Sequence, residues 1–154
     1  MIRPATEADV EEVVAIFEPS FALLDFLPQL HTHEQNLAWF AKALREGEGY
    51  ILDRGFALLD SDWLSHLYVH PDAIAAGVGH ALFEHVKTLR PDGFQFWVFQ
   101  QNDRARQFYE AHGATAVEFT DGAGNEEKTP DVRYEWRPES ASPRVYVTGR
   151  SIPI

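Results

Sequence analysis

Residues 67–85 read LYVHPDAIAAGVGHALFEH, and the order of events inside them decides the architecture. Leu67, Tyr68 and Val69 close an apolar strand, and Pro71 forbids its simple continuation. A run of small residues follows. Gly77 and Gly79 then open a stretch with helical periodicity at Val78, Ala81, Leu82, Val86 and Leu89. Pro91-Asp92-Gly93 turns the chain into FQFWVF, residues 94–99, apolar almost throughout as expected of a strand covered on both faces. Strand, helix and strand in this order make a parallel pair with a crossover connection, expected to be right-handed.

On the N-terminal side, Ile2 to Pro4 reads as a short strand. Val10, Val13, Val14 and Phe17 then form one apolar stripe of a helix, which is expected to end at Pro19 or soon after it. Residues 19–31 read as a partly buried connector or short helix. Thr32 and Gln35 form a capping box for a second helix, whose buried face is Leu37, Phe40, Ala41 and Leu44 and whose stop is Gly47. Tyr50–Asp53 and Phe56–Asp60 flank Arg54-Gly55 as a hairpin, and Asp60-Ser61-Asp62 turns into the strand Leu64–Val69.

On the C-terminal side, Asn102 caps a further helix ended by Gly113. Ala116–Phe119 and Val132–Trp136 read as antiparallel strands around the polar loop TDGAGNEEKTPD. The expected fold is mixed α/β, of α+β type. Its central sheet is mostly antiparallel with one parallel pair, and helices cover both faces. One domain spans residues 1–138. Residues 139–154 read as a linker and a strand-prone tail around Val145–Thr148, an edge strand within the chain or across a homodimer, or a frayed terminus.

The chain has 154 residues, 45% hydrophobic and 13% aromatic, enough for one domain with a substantial core. It has no cysteine, which excludes disulfides, thiolate metal centres and a cysteine nucleophile. The formal net charge of −11 opposes phosphate backbones and anionic membranes and attracts cations such as small amines; solubility alone explains it equally well. Without a long apolar run or a signal-peptide pattern, the reading is a soluble cytoplasmic protein with no nucleic-acid or membrane partner. His31-x-His33 and His66-x-x-x-His70 lack a partner set for a catalytic metal, so none is expected. The acids around Glu126 and Glu127 line the mouth of a site or are merely solvated, in a loop expected to be mobile.

Glycines at a helix start let main-chain amides approach an anion closely. A nucleotide P-loop is excluded because no Gly-Lys-Ser/Thr follows. A dinucleotide fingerprint fails at Leu82, where its third glycine would stand. Tight packing of the helix start is the structural alternative. The context favours the anion reading. Leu67-x-Val69-x-Pro71, Gly77-x-Gly79, and Asn102, Ala105, Phe108, Tyr109 and Gly113 together resemble the GNAT superfamily of acyl-CoA-dependent N-acyltransferases. The resemblance covers residues 2–137 in element order, with its specific residues in 64–114. It departs at Ile74, where the family carries Gln or Arg, and at Ala114, where Phe is usual.

The resemblance implies the GNAT fold, with the parallel strands splaying after Val69 and acetyl-CoA, the co-substrate, in the gap. The pantetheine arm would pair with main-chain groups of Leu67 and Val69. An N–H near Tyr68–Val69 would polarise the thioester carbonyl. Amides of Ala75, Ala76, Gly77, Val78, Gly79 and His80 would hold the diphosphate. Asn102 and Phe108 complete the coenzyme side, Asn102 serving equally as a plain N-cap. Tyr109 would protonate the departing thiolate, its alternative role being a core aromatic. The acetyl group would pass directly to a primary amine of a small molecule or peptide. His66, Glu34 or water are the candidate bases. Two other readings stay open: a non-catalytic acyl-CoA-binding or regulatory module, and a protein-interaction domain whose glycine turn is only structural.

Overall fold

The computed structural model describes residues 1–138; the tail from 139 onward, with its expected edge or dimer strand, lies outside the described residues. The elements are β1 (Arg3–Ala5), α1 (Val10–Phe21), α2 (His33–Glu46), β2 (Glu48–Leu52), β3 (Gly55–Asp60), β4 (Trp63–Val69), α3 (Val78–Leu89), β5 (Phe94–Phe99), α4 (Asp103–Ala111), β6 (Thr115–Phe119) and β7 (Asp131–Trp136). Short 3-10 turns at Glu7–Asp9 and Pro71–Ala76 precede α1 and α3. One sheet runs in the order β1-β2-β3-β4-β5-β7-β6, antiparallel everywhere except between β4 and β5.

Period-two alternation splits the core in two. From β3, Phe56 and Leu58 point to one face and pack with Val13, Val14 and Ile16 of α1 and Phe40 and Leu44 of α2. Ala57 and Leu59 point to the other and pack with Val78, Leu82, Phe83 and Val86 of α3 and Tyr109 of α4. The capping box of α2 is present as the sequence implies: Gln35 N–H donates to Thr32 Oγ1 at 3.1 Å, and Thr32 N–H to Gln35 Oε1 at 2.8 Å.

Pro19 falls in the last turn of α1, which ends soon after it at Phe21, as the sequence implies. Three local expectations are corrected. The β2–β3 turn is Asp53-Arg54, with Asp53 in the left-handed region at φ 49°, because Gly55 is already in β3. A Cβ on Gly55 would lie 2.5 Å from Val78 Cγ1, so this glycine serves helix–sheet contact, not the turn. Strand β5 is covered on one face only: Phe94, Phe96 and Val98 are buried, whereas Trp97 is 44% exposed. The loop between β6 and β7 is tied down. Asn125 Nδ2 donates to the Thr129 carbonyl at 2.7 Å and to Asp131 Oδ2 at 3.0 Å, and Lys128 Nζ to the Ala123 carbonyl at 2.9 Å.

Candidate active site

Strands β4 and β5 pair at their very beginning, Trp63 opposite Gln95 with Gln95 N–H donating to the Asp62 carbonyl at 2.9 Å, and then diverge. The parting therefore starts six residues before Val69, where the resemblance had placed it. A bulge marks the same place. Leu58 pairs with His66 and Leu59 with Leu64, which leaves Ser65 as an extra residue that bends β4.

The alternation of an antiparallel ladder fixes which main-chain groups face the gap. His70 N–H donates to the Arg54 carbonyl at 2.8 Å, toward the hairpin. By the period of two, the groups of Tyr68 also face β3, and those of Leu67 and Val69 face away from it. The Val69 carbonyl accordingly meets the Ser20 hydroxyl of α1 at 2.7 Å. That hydroxyl lies equally close to the Ile16 carbonyl, and its single proton serves one of the two at a time.

The gap holds a narrow cavity of about 100 Å³ lined by Leu67, Val98, Asn102, Ala105 and Tyr109 among others. It adjoins a groove of about 650 Å³ walled by Phe17, Phe21, Trp39, Phe40, Trp97 and Phe99, with Glu126 and Glu127 at its polar side. Ser65, His66, Tyr68, Trp97 and Phe99 border both spaces. The groove's outer wall is fastened by His31, whose Nε2 lies 2.9 Å from Glu126 Oε1. The acids in the β6–β7 loop thus do line the mouth.

Tyr109 is 8% exposed and stacks its ring among Phe96 and Phe83, with centroids at 4.4 and 5.4 Å. Core packing and a place in the cavity wall are both realised. Its hydroxyl has no hydrogen-bond partner among the described residues, and burial followed by the nearby Tyr68 phenol pushes its pKa well above the ordinary phenol range. Tyr68 is raised too, by burial and then by the Glu127 charge. Both phenols hold their protons at neutral pH.

His66 sits among Trp39, Phe40, Phe17 and Tyr68, with ring centroids at 4.9, 5.2, 6.3 and 6.0 Å. Its Nδ1 is buried without a partner among the described residues. Burial lowers the imidazole to about 4, so the ring is neutral at pH 7. Glu34 is exposed on the first turn of α2 and does not border the groove, so the fold does not bring it to His66 or Tyr109.

At the glycine corner, Gly77 adopts φ 82°, the left-handed conformation glycine enters without a Cβ clash. An added Cβ there would meet nothing within 4 Å, and one on Gly79 would make ordinary contacts with Phe108 and Val69 at 3.6 to 3.7 Å. Packing therefore does not demand either glycine. The first-turn amides of Val78, Gly79 and His80 have no intrahelical acceptor by position, and Gly77 supplies no side-chain cap. Ala75 and Ala76 are exposed in the preceding 3-10 turn, and Ile74 is 37% exposed. Asn102 Oδ1 accepts from Ala105 N–H at 3.2 Å, so it is an N-cap and a cavity residue at once.

Sequence reasoning missed Trp39, Trp97 and Phe21 as groove walls. Trp39 and Trp97 are 51% and 44% exposed and Phe21 is half-buried, and a sequence does not display which aromatics the fold leaves uncovered.

The family model for the acetyltransferase (GNAT) domain matches residues 34–113. The peptidyl-lysine N-acetyltransferase YiaC of Escherichia coli is 32% identical over 85 residues, 54% of this chain and 52% of that protein. The chain spans about half the length, or less, of the curated relatives it matches. Among solved structures, apo YjaB from Escherichia coli aligns with a TM-score of 0.72 at 24% identity, covering 90% of this chain and 97% of the other. PaiA N-acetyltransferase from Thermoplasma acidophilum, in complex with coenzyme A, aligns at 0.65 and 18% identity, covering 89% and 98%. These structural likenesses establish the fold.

Proposed function

The chain belongs to the GNAT acetyltransferase family, and on that premise we propose that it transfers acetyl from acetyl-CoA to a primary amine by direct attack in a ternary complex. The observation that carries the proposal is the early parting of β4 and β5 beside the left-handed Gly77 corner, with Tyr109 in the wall of the gap. Amides from Ala75 to His80 hold the diphosphate at the positive end of α3. The pantetheine arm enters the gap and pairs with the outward groups of Leu67 and Val69, while Phe108 and Asn102 flank it.

In the reaction the amine nitrogen bonds to the acetyl carbon, the carbon–sulfur bond breaks, the amine loses one proton and sulfur gains one. The Val69 N–H faces the gap and stabilises the carbonyl oxygen as it becomes negative. Tyr109 supplies the sulfur's proton. Its raised pKa makes that transfer uphill to a thiolate in water, but the same apolar wall raises the thiol as well. His66 offers a neutral ring to the incoming amine as a hydrogen-bond acceptor. With its basicity reduced by burial it passes the proton on to water and does not store it.

The groove's opening and the Glu126–Glu127 rim suit an ammonium on a flexible stem, such as the lysine side chain of a peptide, in line with the activity named for YiaC. A thiol-release assay with acetyl-CoA, run over lysine peptides, polyamines, amino acids and aminoglycosides, tests this. Release with lysine peptides above the rest supports the acceptor class. Coenzyme binding without release on any amine would favour the non-catalytic reading, which Ile74 and the weakly basic His66 support.

A further inference from the structure

Where the first turns of α3 meet the end of α4, three side chains outside the groove converge. His80 and Glu84 lie one turn apart on α3, and His112 caps α4. One ligand atom from each lies within 4.8 Å of the others, His80 being exposed and the other two half-buried. His80 Nδ1 is 2.8 Å from His112 Nε2. His112 Nδ1 is 2.7 Å from the Phe108 carbonyl, which can only accept. Nδ1 therefore carries the proton, and Nε2 turns a lone pair toward His80.

A bond from the far ring nitrogen to a backbone carbonyl is what orients histidines that bind metals. Packing adds to it: the Phe108 and Phe83 rings lie 4.1 and 5.8 Å from the His112 ring. Lys87 donates to Glu84 Oε2 at 2.8 Å and to the His112 carbonyl at 2.9 Å, which clamps the two helices and leaves the other Glu84 oxygen without a partner among the described residues. The Lys87 bond also holds the Glu84 carboxyl below its ordinary range.

The geometry points to a binding site for a borderline divalent cation of the zinc class, held by His80 Nδ1, His112 Nε2 and a Glu84 oxygen, with water in the fourth position. Two imidazoles and one carboxylate select such ions over magnesium or calcium, which take oxygen ligands. Tetrahedral bonds of about 2.0–2.1 Å place neighbouring donors roughly 3.3 Å apart. The two nitrogens thus open by about half an ångström, which the exposed His80 side chain can supply by rotation. Bound metal staples the first turns of α3 to the C-terminus of α4. The site stands independently of how the groove is read.

The test is calorimetric titration of the untagged full chain, first stripped with chelator, with zinc chloride alone, accompanied by thermal unfolding. Binding of one equivalent and a zinc-dependent rise in Tm are expected. His80→Ala and His112→Ala should each weaken binding by about tenfold or more. Because His80 is exposed, His80→Ala should keep the metal-free Tm, which separates loss of ligation from loss of folding. No binding, or binding equally strong in both variants, would overturn the assignment.

Discussion

Replacing Gly55 by alanine isolates the contact that sets the position of α3. The backbone there is not in the left-handed region, so the substitution carries no conformational penalty. The new Cβ would fall 2.5 Å from Val78 Cγ1 and 3.1 Å from Leu82 Cδ1, against an ordinary carbon–carbon contact of about 3.5–4.0 Å. Val78 and Leu82 are 3% and 0% exposed, so neither can swing into solvent and the helix must shift. Overpacking of this size costs about 1–3 kcal/mol. The reduced freedom of the unfolded chain returns about 0.4–1 kcal/mol. The net expectation is a loss of about 1–2 kcal/mol, read as a lower urea midpoint at unchanged slope. Val78→Ala removes the clashing methyl and by itself costs about 1–2 kcal/mol. The double variant should then be less destabilised than the sum of the singles by about 1 kcal/mol. Because Val78 is the first residue of α3, the single Gly55→Ala variant should also raise the KM for acetyl-CoA. A neutral Gly55→Ala, or additive singles, would refute the close-approach reading of this glycine.

Three further outcomes are expected. Tyr109→Phe keeps the ring in its core contacts and should lower kcat by about a hundredfold with coenzyme affinity unchanged; unaltered kcat would remove its acid role. His66 is protonated in the unfolded chain below about 6.5 and in the fold only below about 4, so stability should fall as pH drops through that window and be flat with respect to His66 above it. The ceiling is about 3 kcal/mol, trimmed because part of the ring borders the groove. His66→Leu should lack this component when urea unfolding is compared at pH 7 and pH 4.5. Glu127→Gln should raise the KM for a cationic acceptor severalfold at low salt, converging on the parent value as salt is added, and leave the acetyl-CoA KM in place.

Element types and order were legible because each rests on local physics: the Thr32–Gln35 box, the 3.6-residue stripes of α1 and α3, the Gly113 stop, all present in the structure. What failed depended on partners distant in sequence. Gly55 looked like a turn residue because nothing local shows that Val78 lies against it. FQFWVF looked covered on both faces because Trp97 is as apolar as Phe96, and only the departure of β4 leaves it open. The Ser65 bulge has no composition signal at all. His112 is remote in sequence from His80, so histidine spacing could not join them. The placement of residues 67–79 and 102–113 on strand end, glycine corner and capped helix was readable because turns and caps are specified by short strings.

The parting of β4 from β5 has a consequence that follows from hydrogen-bond satisfaction alone. A strand inside a seven-stranded sheet normally finds partners on both sides, and unpaired buried main-chain groups are costly. Beyond Trp63, the gap-facing groups of β4 have no ladder partner in β5, yet they lie in the centre of the sheet, not at its edge. Of these groups, the Val69 carbonyl has a protein neighbour in Ser20, whose proton is shared with Ile16. The Leu67 and Val69 amides face away from β3, with Leu67 in the wall of the narrow cavity, and are left to water or to an extended molecule bearing its own carbonyls. On the proposed function, an amide-containing arm would satisfy them at strand spacing and bring its thioester end to where Tyr68 and His66 border both spaces and Tyr109 lines the narrow one. Substitution of Ser20 by alanine would leave the Val69 carbonyl bare and should loosen this end of β4, while the pairing of Trp63 with Gln95 stays intact. Faster amide exchange confined to residues 67–70 would show it; uniform exchange along β4 would mean that the gap is held open by something other than the ends of these strands.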